Sequence, residues 1–291
     1  MKKLTLLFVA GLFLFGCGDD EAVDTTGDLT LSFENLPMSA SNEVYEGWII
    51  VDGAPVSTGT FTVDANGALS QSSFEVENAM LESAAAFVLS IEPVPDNDAG
   101  PSAIKILGGG FSSQSAALTA AHEAALNSDQ SFATGKMILA TPTTETTNDE
   151  LSGIWFLEIT ENGPMRGLGL SDLPSGWKYE GWAVIDGQPV SSGTFTITDI
   201  ADESDQFSGP GDGPPFPGED FVANAPSGLT FPTDLSGMTI VISIEPSPDN
   251  DPAPFMYKPL VYVVPSGALD HETYTMVNQV DSTFPSGMAS W

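Results

Sequence analysis

The chain has 291 residues, with 40 acidic side chains against 7 basic ones and a formal net charge of −33 at pH 7. Such a surface repels nucleic acid, whose binding rests on cationic contacts with phosphate, and it repels anionic lipid head groups. Apolar residues make up 41% of the chain and aromatic residues 9%, enough to fill two cores, so global disorder is not indicated.

Residues 1–16 read as a lipoprotein signal peptide. Lys2 and Lys3 give a basic start, and Leu4 to Phe15 is almost wholly apolar but short for a bilayer span. Leu14-Phe15-Gly16-Cys17 looks like a lipobox, in which cleavage before Cys17 frees a thiol for diacylglycerol. The competing readings are a plain secretory leader with an incidental cysteine, or a short membrane anchor. Cys17 is the only cysteine, which excludes an intrachain disulfide and a cysteine metal cluster. Residues 17–27 form an acidic, Gly/Thr-containing tether. Gly18 follows the cysteine, and the acidic cluster after it resembles the export signal of some surface lipoproteins. The expected location is the cell envelope, with the lipid on Cys17 in the outer membrane and the chain facing the periplasm or the cell surface.

A repeat follows. Tyr45-Glu46-Gly47-Trp48 to Val63 returns as Tyr179-Glu180-Gly181-Trp182 to Ile197, with 13 of 19 positions identical at an offset of 134. Each copy reads as a β-hairpin. Apolar runs flank Asp52-Gly53 and Asp186-Gly187, and such a turn needs the positive φ that glycine supplies freely. Pro55 and Pro189, lacking an N–H, mark a strand start or an edge. Downstream, Phe87 to Pro93 matches Ile240 to Pro246 at an offset of 153. The second copy therefore carries an insertion, Gly/Pro-rich over 201–227, which excludes a regular helix or central strand there. Phe216 and Phe221 argue against a purely solvated loop.

The expected architecture is all-β: two tandem β-sandwich-like repeats over 28–147 and 148–291, with at most one or two short helices. The Ala-rich stretch Ser112 to Asn127 has helix-compatible spacing. Thr141 to Glu150 reads as a polar linker. Ile154 to Ile159 reads as a strand that could close either repeat.

Few residues point to chemistry. His122-Glu123 and His271-Glu272 echo one another, but no further histidine completes a zinc set. Asp96-Asn97-Asp98 and Asp249-Asn250-Asp251 offer oxygens for calcium, with Asp96, Asp98, Asp249 and Asp251 as the candidate ligands. The competing explanation is a polar turn in which these side chains bond their own backbone. Asp202-Glu203 with Asp205, and Glu219-Asp220, invite the same two readings. Trp48, Trp182, Tyr45 and Tyr179 suit core packing better than an aromatic binding surface. No nucleophile elbow, phosphate loop or dinucleotide fingerprint is present, so no catalytic residue is assigned and an enzyme is not expected.

The hairpin Tyr-Glu-Gly-Trp…Asp-Gly-x-Pro-Val-Ser-x-Gly-Thr-Phe, with its Ser-Ile-Glu-Pro strand and Pro-rich loop, resembles the extracytoplasmic C-terminal domain of anti-sigma-K factors. The resemblance implies an all-β module. In those proteins the module follows a sigma-binding region and a transmembrane helix. A cysteine-terminated leader stands here instead, so sigma sequestration is not expected to carry over. What carries over is an envelope binding or sensing module, with the membrane met through Cys17 and an envelope protein or glycan as partner. The alternative is a calcium-dependent adhesion or carbohydrate-binding surface lipoprotein.

Overall fold

The computed structural model describes residues 25–249 and 251–291. The expected signal peptide, Cys17, most of the tether and Asn250 lie outside the described residues. In chain order the first half supplies β1 (Thr26–Glu34), β2 (Glu43–Val51), β3 (Ala54–Phe61), β4 (Ser73–Glu77), α1 (Asn78–Ser83), β5 (Ala84–Pro93), β6 (Lys105–Gly110), β7 (Ser115–Thr119) and β8 (Gly135–Leu139). The second supplies β9 (Gly153–Trp155), β10 (Leu157–Thr160), β11 (Gly163–Arg166), β12 (Trp177–Ile185), β13 (Gln188–Phe195), β14 (Gly218–Asp220), β15 (Thr239–Pro246), β16 (Tyr257–Val263), β17 (Tyr274–Asn278), α2 (Val280–Thr283) and β18 (Ser286–Ser290). Among the described residues the fold is all-β with two short helices, as the sequence implied.

Both hairpins form as their turn residues require. Asp52 and Gly53 have φ of 51° and 79°, and Asp186 and Gly187 have 51° and 82°, the double positive φ of a tight hairpin turn. Both hairpins also carry a register shift after the glycine of Glu-Gly-Trp. Pro55 and Pro189 lie on β3 and β13, each the first strand of its sheet, where a missing N–H costs least.

The two eight-stranded, barrel-like sheets have parallel orders, β3-β2-β5-β6-β7-β18-β1-β4 and β13-β12-β15-β16-β17-β8-β9-β14. Their sixth members are exchanged. β8 follows β7 in sequence but pairs with β17, and β18 follows β17 but pairs with β7. Each exchanged strand is bonded on both sides. β18 runs in register with β7 from Ser286↔Thr119 to Ser290↔Ser115 and with β1 from Glu34↔Ser286 to Thr30↔Ser290. β8 lies between β17 and β9, and Lys136 N–H also donates to the Gly167 carbonyl at 2.9 Å. Sheet membership thus changes between β7 and β8, ahead of residue 147, and returns to the first sheet at β18. The stretch at Ile154–Ile159 divides: β9 joins the second sheet, and β10 forms a separate hairpin with β11.

The exchange joins the interiors. One hydrophobic cluster holds Leu29, Ile49, Phe61, Phe87 and Ile106 from the first sheet together with Tyr179, Ile240, Ile242 and Tyr257 from the second.

The helix expected within Ser112–Asn127 is replaced by β7 and a series of turns. Along β7 the burial alternates: Ala116 and Leu118 are buried, Ser115, Ala117 and Thr119 exposed. That is a period of two, and β18 supplies the ladder that a lone Ala-rich segment lacks. Thr141–Glu150 is not a free linker either, because Thr141 and Thr143 are buried.

Candidate functional site

The repeated hairpin places the same polar chain in each half. Side chains alternate along β2, so Tyr45 and Ile49 enter the common core while Glu46 and Trp48 face the other side of the sheet. There Trp48 Nε1 donates to Ser90 Oγ at 2.8 Å, and Ser90 donates to Glu92. The Ser102 N–H also donates to Glu92 Oε1, at 2.8 Å. In the second half Trp182 Nε1 donates to Ser243 Oγ at 2.7 Å, Ser243 to Glu245, and the Phe255 N–H to Glu245 Oε1 at 2.9 Å. Beside these chains Ser57 donates to Glu46 and Ser191 to Glu180.

Burial pushes Glu180 and Glu245 up to about 7, against the opposite pull of their serine hydrogen bonds, and raises Glu46 as well. The nearby negative charges add to the rise: Glu92 and Asp96 act on Glu46, and Asp249 acts on both Glu180 and Glu245. The structure therefore gathers Glu46, Glu92 and Asp96 in one half and Glu180, Glu245 and Asp249 in the other.

The candidate calcium ligands sit in the loops beyond these glutamates. Asp96 Oδ1 accepts the Asp98 N–H at 2.9 Å, and Asp98 Oδ1 accepts the Gly100 N–H at 3.1 Å. Asp249 Oδ1 accepts the Asp251 N–H at 2.9 Å, and Asp251 Oδ1 the Ala253 N–H at 3.0 Å. Bonding to the backbone two residues on explains the Asp-Asn-Asp pattern as turn chemistry. Tyr45, Trp48, Tyr179 and Trp182 are at most 3% exposed, so all four pack within the protein.

The two histidines occupy different settings. His122 Nδ1 accepts the Ala124 N–H at 3.2 Å, and its ring lies so close to Gly108 that a Cβ there would come within 2.6 Å of Nδ1. His271 Nδ1 lies 3.0 Å from Asp270 Oδ2, and the ligand atoms of Glu150, Asp270 and His271 fall within 4.8 Å of one another. Glu150 and Asp270 line a cavity of about 490 Å³ together with Asp149 and Asp234.

The Gly/Pro-rich insertion folds around three carboxyls. Asp220 Oδ1 accepts Trp155 Nε1 at 2.8 Å, while its Oδ2 accepts the Thr143 N–H at 2.9 Å and the Thr143 hydroxyl. Ser208 donates to Glu219. Asp202 Oδ2 accepts the Gly218 N–H at 2.7 Å, yet burial still pushes Asp202 up to about 7. Phe221 is fully buried against Phe207 and Phe231. Sequence reasoning missed the Thr143–Asp220–Trp155 network, since no local pattern links residues 77 positions apart.

On the outer face of the first sheet, a cavity of about 440 Å³ lies between β2 and the start of β12, lined by Trp48, Val88, Lys105, Glu123, Pro174 and Trp177. It is mostly apolar with a few polar groups, the usual makeup of a small-molecule pocket.

Among the described residues no helix is long and apolar enough to cross a membrane. No curated protein and no solved structure matches the chain. Over residues 22–104, which span the first copy of the repeated hairpin and its Ser-Ile-Glu-Pro strand, the chain is similar to the family described as Anti-sigma-K factor rskA, C-terminal.

Proposed function

We propose that the chain is a non-enzymatic envelope module, held to a bacterial outer membrane through lipid on Cys17, that binds or senses an envelope component. The observation that carries this reading is the family match over residues 22–104. The Leu-Phe-Gly-Cys sequence at 14–17 supports the anchor, and the cavity beside Trp48 and Trp177 offers a place for a ligand. The test expresses the full chain, with Cys17 intact or as Cys17→Ser, in a Gram-negative host fed labelled palmitate. Label and membrane recovery should both be lost in the variant; unchanged membrane recovery would overturn the anchor.

Calcium-dependent adhesion is the second reading, favoured by the way Asp96 and Asp249 crowd buried glutamates of their own halves and raise them, a like-charge repulsion that a bound divalent cation would relieve. Thermal unfolding with millimolar calcium and with chelator, at fixed ionic strength, separates the two. A calcium-specific rise in midpoint selects the second reading.

A further inference from the structure

A cavity of about 230 Å³ opens between the two halves. Met38, Tyr45 and Ile91 of the first half line it, with Phe255, Met256 and Lys258 of the second. Lys258 is half-buried, and its setting differs from that of the other described lysines. Lys136 pairs with Glu158, Lys178 pairs with Glu203 at 2.5 Å, and Lys105 donates to the Ser102 carbonyl at 2.8 Å. Lys105 is the repeat counterpart of Lys258, at the same offset of 153 that relates the preceding strands. Among the described residues the Lys258 ammonium has no ion pair, although the chain carries 40 acidic residues.

A half-buried ammonium without a direct ion pair favours an anion that can reach it. Burial holds Lys258 below the ordinary lysine range, with the charge of Glu245 pulling the other way. Alongside polar Ser39, Glu43 and Asp251, the wall carries Met38, Val44, Ile91, Phe255 and Met256, apolar side chains that suit a ligand with an apolar body. The charges of Glu43 and Asp251 on the same wall work against any anion, so the ligand carries a single negative charge and sets it directly on Lys258. The volume admits only a small molecule.

We propose that this cavity binds a small organic acid, its single carboxylate on Lys258 and its apolar body against Met38, Ile91, Phe255 and Met256. The site is built from both halves, so it exists only when they are docked. The proposal rests on the reading of the chain as a binding module but not on its anchor, and a failed lipidation experiment would leave it standing.

The test uses the detergent-solubilised full chain and 3-phenylpropionate as probe, followed by ligand-observed NMR and calorimetry. The neutral isostere 3-phenylpropionamide and inorganic phosphate serve as comparisons. The carboxylate should bind about tenfold or more tightly than the amide, and phosphate should not displace it. Lys258→Met should lose that preference, while Lys258→Arg keeps it; near-UV circular dichroism verifies that both variants are folded. Equal binding of acid and amide, undiminished binding by folded Lys258→Met, or no detectable binding of the acid would each overturn the proposal.

Discussion

Tyr257 on β16 donates its hydroxyl hydrogen bond to the Ile106 carbonyl on β6, joining the second sheet to the first through the shared core. Its ring centroid lies 4.8 Å from that of Phe284 and 5.7 Å from that of Trp177. Two sheets tied in this way should unfold together. Tyr257→Phe is expected to strand a buried carbonyl and lower stability by about 1–3 kcal/mol. Urea unfolding checks this: one transition at a lower midpoint, with the slope unchanged. Two separate transitions in the parent protein would contradict the shared core.

Gly287 on β18 makes a second test possible. A Cβ there would fall 2.5 Å from Phe33 Cδ1 and 2.6 Å from the Ser32 carbonyl oxygen. The neighbouring backbone cannot yield cheaply, so Gly287→Val should cost about 3 kcal/mol. Hydrogen exchange should then quicken in β1 and β7, the strands that β18 bridges, more than in the β2–β3 hairpin. Protection lost only in β18 would mean that it is an appendage rather than a structural member of the sheet.

The sequence and the structure agree where the information is local. Asp-Gly turns, edge prolines and the repeated apolar alternation are each written into a few adjacent residues, and they led to two all-β repeats. The strand exchange is not local. Ser286 to Ser290 carries one large apolar side chain, and nothing in it says that β7 and β1, rather than β17, will flank it. The same limit explains the misassigned helix at Ser112–Asn127: alanine and leucine favour a helix in isolation, and a distant strand overrides them. At the site, Asp96 and Asp249 were visible by their spacing. The burial of Glu180 and Glu245 behind Trp182 and Ser243 depended on which side of the sheet the register assigned them.

Glu180, Asp202 and Glu245 set an expected pH dependence. Burial pushes each up to about 7, whereas unfolded carboxyls titrate near 4. Between those values the folded state holds more protons than the unfolded state. Their contribution to stability is therefore full below about pH 4 and is lost as pH rises through 7. Asp64, Asp129 and Asp270 are exposed and held low by hydrogen bonds, so they act oppositely at the acidic end. Thermal midpoints from pH 4.5 to 8 at constant ionic strength should fall with rising pH. Glu245→Gln keeps acceptors for Ser243 and Phe255 but removes an ionisation, on the order of 3 kcal/mol at the alkaline end, so its profile should be flatter. A profile parallel to that of the parent would rule out Glu245 as a contributor.

Thr143 shows that the Thr-rich stretch after β8 is part of the structure. Its hydroxyl donates to Asp220 and accepts the Gly209 N–H at 2.7 Å, while its carbonyl accepts the Gly211 N–H at 2.9 Å. One residue thus holds both a buried carboxyl and the interior of the Gly/Pro-rich insertion at Gly209 and Gly211. Thr143→Val keeps the shape but leaves Asp220 short of a donor and Gly209 short of an acceptor, at an expected cost of about 2–3 kcal/mol. The loss should be felt first in the insertion, where limited proteolysis between residues 209 and 217 should accelerate. Thr143→Ser, which retains the hydroxyl, should cleave at close to the parent rate. If Val and Ser variants are cleaved alike, the main-chain bonds of Thr143 alone hold the insertion, and the hydroxyl's links to Asp220 and Gly209 contribute nothing to its order.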